Sequence, residues 1–548
     1  MNKTKLIGLI LSAFALGAFS YQQVLKVITA AEVRGAANIA GLEFTQAEVD
    51  SLLPELDDYR KSYEDIRKLA LPNSTPMALV FNPIPPGYQM PVGNMMGGYS
   101  SAGNAQLPGN MDDLAYYSVI QLSKLIVGKK ITSEELTKFF IERLKKYDPK
   151  LKCVVTLTEK TALEQARQAD EDLKSGVYKG MLHGIPYGLK DIVATNGHPT
   201  TWGSKIFKDQ VFKYDATVVE KLRAAGAVLV AKLSVGELAM GDTWFGGQTK
   251  NPWDMKTGSS GSSAGSAAAV SAGLVPFAIG TETLGSIVSP ASTCGVTGLR
   301  PTFGRVSRHG IMTLNWSMDK VGPIARSAED CAVVLSYITG ADNKDLSVIN
   351  MPFTYDAGIK TNKKLKIGYL KKDFDKAYPF KTQDSMTLKT LQAMGYELIA
   401  MDLPQYPDIS FLIGVEAAAA FDDLTRTNKD DQMVRQTKDA WPNYFRQARM
   451  VPAVEYVQAN RVRAQMIEGM EKVFKEVDVY LNPTWASSSL LTTNLTGHPC
   501  VVVPNGMKNN KPTSITFTGK LFEEATLLAV AQAYQEQTGF DQQKPKLD

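Results

Sequence analysis

Apolar positions recur along this chain with two different periods, and the switches between them sketch its elements. Across residues 45–68, Leu52, Leu53, Leu56 and Tyr59 fall at helical spacing, which predicts an amphipathic helix. Residues 118–125, 132–147 and 161–175 read the same way. Thr132 with Glu135 three positions later fits a capping box, a helix start. Short apolar runs at 184–189, 227–231, 275–279, 365–369 and 477–481 alternate with these helical stretches and predict strands. Residues 360–404 read strand, helix, strand, and 411–426 and 454–474 read as long helices. Glycine and proline bracket a further apolar strand at 501–503. Strand–helix alternation of this kind argues for an α/β layered sheet.

Two regions break the pattern. Residues 72–109, which include NPIPPGYQMPVGNMMGGYSSAGN, have the composition of a loop that wraps the surface of a larger body. Residues 6–19 are an apolar run behind Lys3 and Lys5, with small Ala18 and Ser20 ahead of Tyr21, the pattern of a secretory signal over 1–20. The run is short for a spanning helix, and no cysteine follows it to take a lipid. The expected organisation is therefore a leader at 1–20, an N-terminal helical and loop extension at 21–112, and one main domain at 113–548. The expected location is exported, periplasmic or secreted, with no stable membrane span after cleavage; an uncleaved anchor stays open. No short-period repeat is visible.

Composition changes this picture little. With 44% hydrophobic and 21% charged residues the chain is ordinary for a globular protein. The formal net charge is +4, and Lys3 and Lys5 supply two of those charges. That balance gives no reason to expect nucleic acid or an anionic surface as a partner. Cys153, Cys294, Cys331 and Cys500 are scattered, which is no disulfide framework for this length; they read as small buried apolar residues, with one bridge left open. No C-x-x-C or H-E-x-x-H spacing points to a metal, and nothing calls for a cofactor.

Candidate chemistry lies in a glycine- and serine-dense stretch at 258–304 and in LHGIPYGLKD at 182–191. A serine hydroxyl is a weak nucleophile and needs a base within hydrogen-bond reach. A lysine can be that base only if its pKa falls toward neutrality, and burial has that effect. Ile185, Pro186, Leu189 and Ile192 give Lys190 such a setting. Taken singly, Lys190 would be an ordinary solvated lysine, Ser262 and Ser263 helix caps, and Ser286 a turn residue.

Taken together and in order, LHGIPYGLKD, GSSAGS, GTETLGSIVSPAS and CGVTGLRPTFGRVS resemble the amidase signature family, from about residue 114 to the C-terminus. The resemblance implies a mixed β-sheet core sandwiched between α-helices. It implies hydrolysis of a carboxylic amide to acid plus ammonia or amine through an acyl-enzyme, with Ser286 as nucleophile, Ser262 as bridging serine and Lys190 as base. It also implies a cis bond before Ser262, and an oxyanion hole from the backbone N–H groups of Thr283, Leu284, Gly285 and Ser286.

The chain departs from the commonest form of the motif, G-T-D-T-G-G-S-I-R, at Glu282, Leu284 and Val288. Val288 replaces an arginine and counts against free glutamine as substrate. The G-T-E-T-x-G-S-I-V form is closer to the peptide-amidase-like branch, with a small-molecule or peptide amide as substrate. Met240, Trp244 and Trp485, with Phe245, either line an acyl pocket or are plain core. Arg300 reads as support for the site's loops and Asp191 as structural.

Residues 261–265 also spell G-x-S-x-G around Ser263, the nucleophile elbow of another hydrolase class. That motif needs a strand running into the turn, whereas NPWDMKTGSSG reads as a loop, and His309 or His498 would have to complete the triad. His183 and His198 read as local hydrogen-bonders. Two other functions are weighed. The amidase-like component of a tRNA-dependent amidotransferase would be cytoplasmic and need partner subunits, and the leader and Val288 argue against it. A non-catalytic binding protein would not need Lys190, Ser262 and Ser286 intact. The extension either shapes the substrate entrance or makes a dimer contact, which leaves a homodimer open.

Overall fold

Thr29 and Thr45 each accept the backbone N–H of a glutamate three residues on, and that glutamate's carboxylate accepts the threonine's own N–H. These reciprocal caps open α1 (Ala30–Ile39) and α2 (Gln46–Lys68). In this computed structural model, residues 27–91, 97–101 and 103–547 are described. The signal read at 1–20 lies outside them. Contacts divide the chain into one unit ending at Pro72, which also takes in Met450–Pro452, and a second holding Asn73–Arg449 and Ala453–Asp548.

The division thus falls at Pro72, not at 112 as the composition suggested. The loop after it is tied into the second unit by hydrogen bonds that composition cannot show. Asn73 Nδ2 donates to the Thr313 carbonyl (2.8 Å), Tyr88 Oη to the Leu521 carbonyl (2.7 Å), and the Ser100 N–H to Glu329 Oε1 (2.6 Å).

The second unit is built on an eleven-stranded mixed sheet flanked by helices. Its strands are β1 (Val154–Leu157), β2 (Pro186–Lys190), β3 (Val228–Leu233), β4 (Phe277–Glu282), β5 (Thr297–Arg300), β6 (Lys320–Ala325), β7 (Lys366–Leu370), β8 (Glu397–Met401), β9 (Val479–Pro483), β10 (Cys500–Lys508) and β11 (Lys511–Gly519). The spatial order is β1-β3-β2-β4-β6-β5-β10-β11-β9-β7-β8. β3-β2-β4 and β9-β7-β8 are parallel and the other pairings antiparallel. β2, β3 and β4 are buried along their whole length, as expected of parallel strands covered on both faces.

The five apolar runs became strands displaced one to three residues toward the C-terminus. Those at the centre of the sheet end on polar or mixed residues: Lys190, Lys232-Leu233, Thr281-Glu282. β1, β5, β6 and β11 had no such signal. β6 carries Gly322 and Pro323, which normally speak against a strand interior. β11 is rich in Thr and Ser, yet largely buried, with hydroxyls paired across the sheet, as Thr516 is with Thr484 (2.9 Å). All four cysteines are buried and free. Among the described residues no helix is long and apolar enough to cross a membrane.

Candidate active site

β2 and β4 lie side by side and parallel, with Leu189 opposite Ile279, so their carboxyl ends emerge together. Lys190 ends one, and Thr281 and Glu282 end the other. A crevice outside the carboxyl ends of neighbouring parallel strands is where open α/β sheets place their ligands. Two serine-bearing turns close over this point: 259–263, which leads into α3 (Ala264–Ser271), and 283–287, which leads into α4 (Val288–Cys294).

Lys190 is fully buried. Its Nζ lies 2.8 Å from Ser262 Oγ, 3.0 Å from Ser263 Oγ, 2.8 Å from Thr281 Oγ1 and 3.3 Å from the Thr281 carbonyl. Among the described residues no carboxylate pairs with it. Burial lowers its pKa to about 7, against the weaker opposing pull of the Asp319 and Glu282 charges. The amine is therefore near the point where it gains and loses a proton at neutral pH.

The Gly261–Ser262 bond is cis. Gly261 has no room for a side chain, because a Cβ there would sit 1.8 Å from the Gly241 carbonyl oxygen. Ser263 occupies the cap position of α3 without capping it. Its hydroxyl donates to the Thr281 carbonyl (3.1 Å) and accepts the Thr281 N–H (3.2 Å), while its own N–H donates to the Ser286 carbonyl (3.0 Å). The two serine turns are thereby bolted to each other and to β4.

Ser286 follows three residues whose conformation is set by the turn. Gly285 has φ +81°, and a Cβ there would meet Ser289 Oγ at 2.9 Å. Among the described residues, the N–H groups of Thr283, Leu284, Gly285 and Ser286 donate to no protein acceptor, and the Ser286 hydroxyl has no protein partner. The amides that follow do have one. Glu282 Oε2 accepts the N–H groups of Ile287 and Val288, both at 2.9 Å, while Oε1 takes Arg300 Nη1 and Asn494 Nδ2, both at 2.9 Å. Burial alone would raise the Glu282 carboxyl, but Arg300 and these hydrogen bonds outweigh it and hold the group at about 2. Arg300 also donates to Thr493 Oγ1 (2.8 Å) and the His498 carbonyl (3.0 Å), so it is spent on the frame of the site.

The remaining sequence candidates fall in different settings. Met240 is half-buried against the core, on the segment whose Gly241 carbonyl abuts Gly261. Trp244 is buried, its indole N–H donating to the Lys152 carbonyl (3.3 Å). Trp485 is half exposed, and its indole donates to Ser292 Oγ in α4 (2.8 Å). Val288 is buried in an apolar cluster with Ile287, Ala291 and Ile324. Asp191 pairs with Lys232 at 2.9 Å, both fully buried. The elbow reading of Ser263 lacks its parts. A short strand, Asp254–Gly258, does precede the turn, but it belongs to a separate two-stranded hairpin. His498 is bonded to Thr496, and neither it nor His309 reaches Ser263. Thr281 and Asn494 were not singled out by sequence, whereas Arg300 was read as support for the site's loops and Ser263 as a cap. Thr281 lay inside the second serine motif; Asn494 lay outside every motif and carried no signal. Among the described residues no three His, Cys, Asp or Glu side chains converge as a metal site would require.

Comparison with known proteins bears on this arrangement. A family model described as Amidase matches residues 135–492. The A subunit of glutamyl-tRNA(Gln) amidotransferase from Coxiella burnetii is 34% identical over 480 residues, covering 78% of this chain and 99% of that one. Among solved structures, an amidase family protein from Bacillus anthracis is 29% identical with a TM-score of 0.72, over 79% of this chain and 93% of that one. The native peptide amidase of Stenotrophomonas maltophilia is 28% identical with a TM-score of 0.70, over 79% of this chain and 98% of that one.

Proposed function

This chain belongs to the amidase signature family, and from that premise we propose that it is an exported amidase that acylates Ser286, with Ser262 and Lys190 as its proton relay. The observation that carries the reading is the buried Lys190 amine, paired with no carboxylate among the described residues and 2.8 Å from Ser262 Oγ, beside a turn with four unspent amides. In the neutral enzyme the Lys190 amine takes the Ser262 proton as Ser262 takes that of Ser286. Ser286 Oγ bonds to the amide carbon, and the C–N electron pair leaves with the nitrogen, which takes the proton back through Ser262. The negative carbonyl oxygen of the intermediate is held by the N–H groups of 283–286; losing one such donor typically costs ~10²–10³ in rate. Water then repeats the sequence and releases the acid.

The substrate is a small-molecule or peptide amide. The likeness to a peptide amidase supports this, and so does Val288, which gives the site no charge for a free α-carboxylate. One relative is named as part of a glutamyl-tRNA(Gln) amidotransferase, but with Val288 buried and Arg300 committed to Glu282, neither position offers free glutamine a cation. Export rests on Lys3, Lys5 and the apolar run at 6–19. A protein recovered from outside the cytoplasm that begins at Tyr21 supports it, and one retaining Met1 counts against cleavage. The activity is tested by ammonia release from peptide amides, aryl amides, short aliphatic amides and glutamine. Release that disappears in Ser286→Ala is expected. Release that survives in Ser286→Ala would remove Ser286 from the chemistry.

A further inference from the structure

A cavity of about 400 Å³ opens beside Thr281 and Thr283, within the range of ~300–1,000 Å³ usual for small-molecule sites. Thr281 holds the Lys190 amine, and Thr283 carries the first of the four unspent amides. The cavity therefore adjoins the strand end that carries these groups, while Lys190, Ser262 and Ser286 do not themselves line it. Its lining includes Ile192, Met312 and Leu314 from the body of the sheet unit, and Met77, Leu79 and Val80 from a strap at 74–80, with the polar or charged His309, Asp319 and Lys320 set among them.

The strap is fixed in place. The Asn73 side chain donates to the Thr313 carbonyl and accepts the Thr313 N–H, both at 2.8 Å, and the Trp316 indole donates to the Thr75 carbonyl (3.3 Å). Yet its apolar side chains are not covered: Leu79 is 83% exposed, and across the mouth Leu346 is 73% exposed. Charges at the mouth are already committed, Arg308 to Asp345 (3.1 Å) and Lys344 to Glu220 (2.9 Å). Of the other charged lining residues, Asp319 accepts from Thr283 Oγ1 and from the Leu314 and Asn315 N–H groups, and Lys320 donates to the Met318 carbonyl; an opening with apolar rims whose charged groups are already bonded suits a neutral apolar group. The strap also lies outside the segment matched by the family model.

We propose that the cavity receives an apolar, aryl-sized group of the amide substrate, and that the strap at 74–80 sets the size it admits. The proposal rests on amide hydrolysis at Ser286. The group can sit on the acyl or the amine side of the scissile bond, and the substrates below tell the two apart.

Wild-type, Met77→Trp and Leu79→Ser proteins are compared by kcat/KM on acetamide, on 4-phenylbutanamide (aryl group on the acyl side) and on acetanilide (aryl group on the amine side). The wild type is expected to prefer one aryl amide to acetamide. Met77→Trp, which fills the cavity, is expected to cut that preference by about tenfold, and Leu79→Ser, at an exposed site that threatens no fold, to cut it in the same direction. The aryl amide that responds names the side. Equal losses on all three substrates, or an unchanged preference in both variants, would overturn the subsite and leave amide hydrolysis standing. If the wild type hydrolyses none of them, the reading of Ser286 has failed instead. Calorimetric binding of the two aryl amides to Ser286→Ala protein then decides the cavity. Binding weakened about tenfold by Met77→Trp supports it, and no binding, or binding indifferent to that change, ends it.

Discussion

Lys190 ends its strand and Lys232 lies one residue from the end of the neighbouring one; both are fully buried, and among the described residues only Lys232 has a carboxylate. Lys232 is bound to Asp191, so its charge is neutralised in place. Lys190 has hydroxyls and a carbonyl around it, and the hydroxyls can follow a proton either way. With its pKa lowered to about 7 by burial, Lys190 acting as the proposed base would do so as the neutral amine. On that reading kcat/KM should rise with pH and level off above an apparent pKa of about 7. A profile flat from pH 5 to 9 would remove Lys190 as the base. Lys190→Ala should lower kcat by about 10²–10⁴, with thermal stability measured alongside. The apolar run around Lys190 was legible in the sequence. The lack of a partner was not, because it depends on which strand ends meet, and that is set by the parallel pairing of β2 with β4.

At the scale of elements, the Ser286 turn and α4 hang on one carboxylate. Glu282 binds the first two amides beyond Ser286 and pairs with Arg300, both side chains fully buried. Glu282→Ala would leave the Arg300 guanidinium buried without its partner and is expected to cost about 3–5 kcal/mol in denaturant unfolding. A loss below about 1 kcal/mol, the range of exposed pairs, would mean that the pair does not hold the turn. Sequence reading saw the helix after the first serine turn and the capping box at Thr132, where the Glu135 N–H does reach Thr132 Oγ1 at 3.1 Å. It misjudged the role of Ser263, since local sequence favours a cap and only the approach of β4 offers its hydroxyl a better partner. Strands with continuous apolar runs were found; β6 and β11 were not, because glycine, proline and threonine are tolerated there by tertiary pairing that local preference cannot anticipate.

Over the whole molecule, every candidate catalytic residue and the entire cavity belong to the unit that begins at Asn73. A chain starting there is expected to keep amide hydrolysis within a few-fold of the full chain; loss of all activity in a folded product would give the first 72 residues a part in the site. The order of the motifs was enough to nominate Lys190, Ser262 and Ser286, which the fold brings to the ends of neighbouring elements, because each serine turn carries its own glycines. The boundary at Pro72 was hidden because a proline-rich stretch looks like a linker whether or not its polar groups are anchored.

The most direct measurement is peptide mapping by mass spectrometry after reaction with a fluorophosphonate, a serine-reactive probe. The expected result is a single adduct on Ser286, formed more slowly below about pH 7 and in Lys190→Ala, as a base of lowered pKa requires. An adduct on Ser263, or none on a folded protein, would contradict the assignment of Ser286 as the nucleophile.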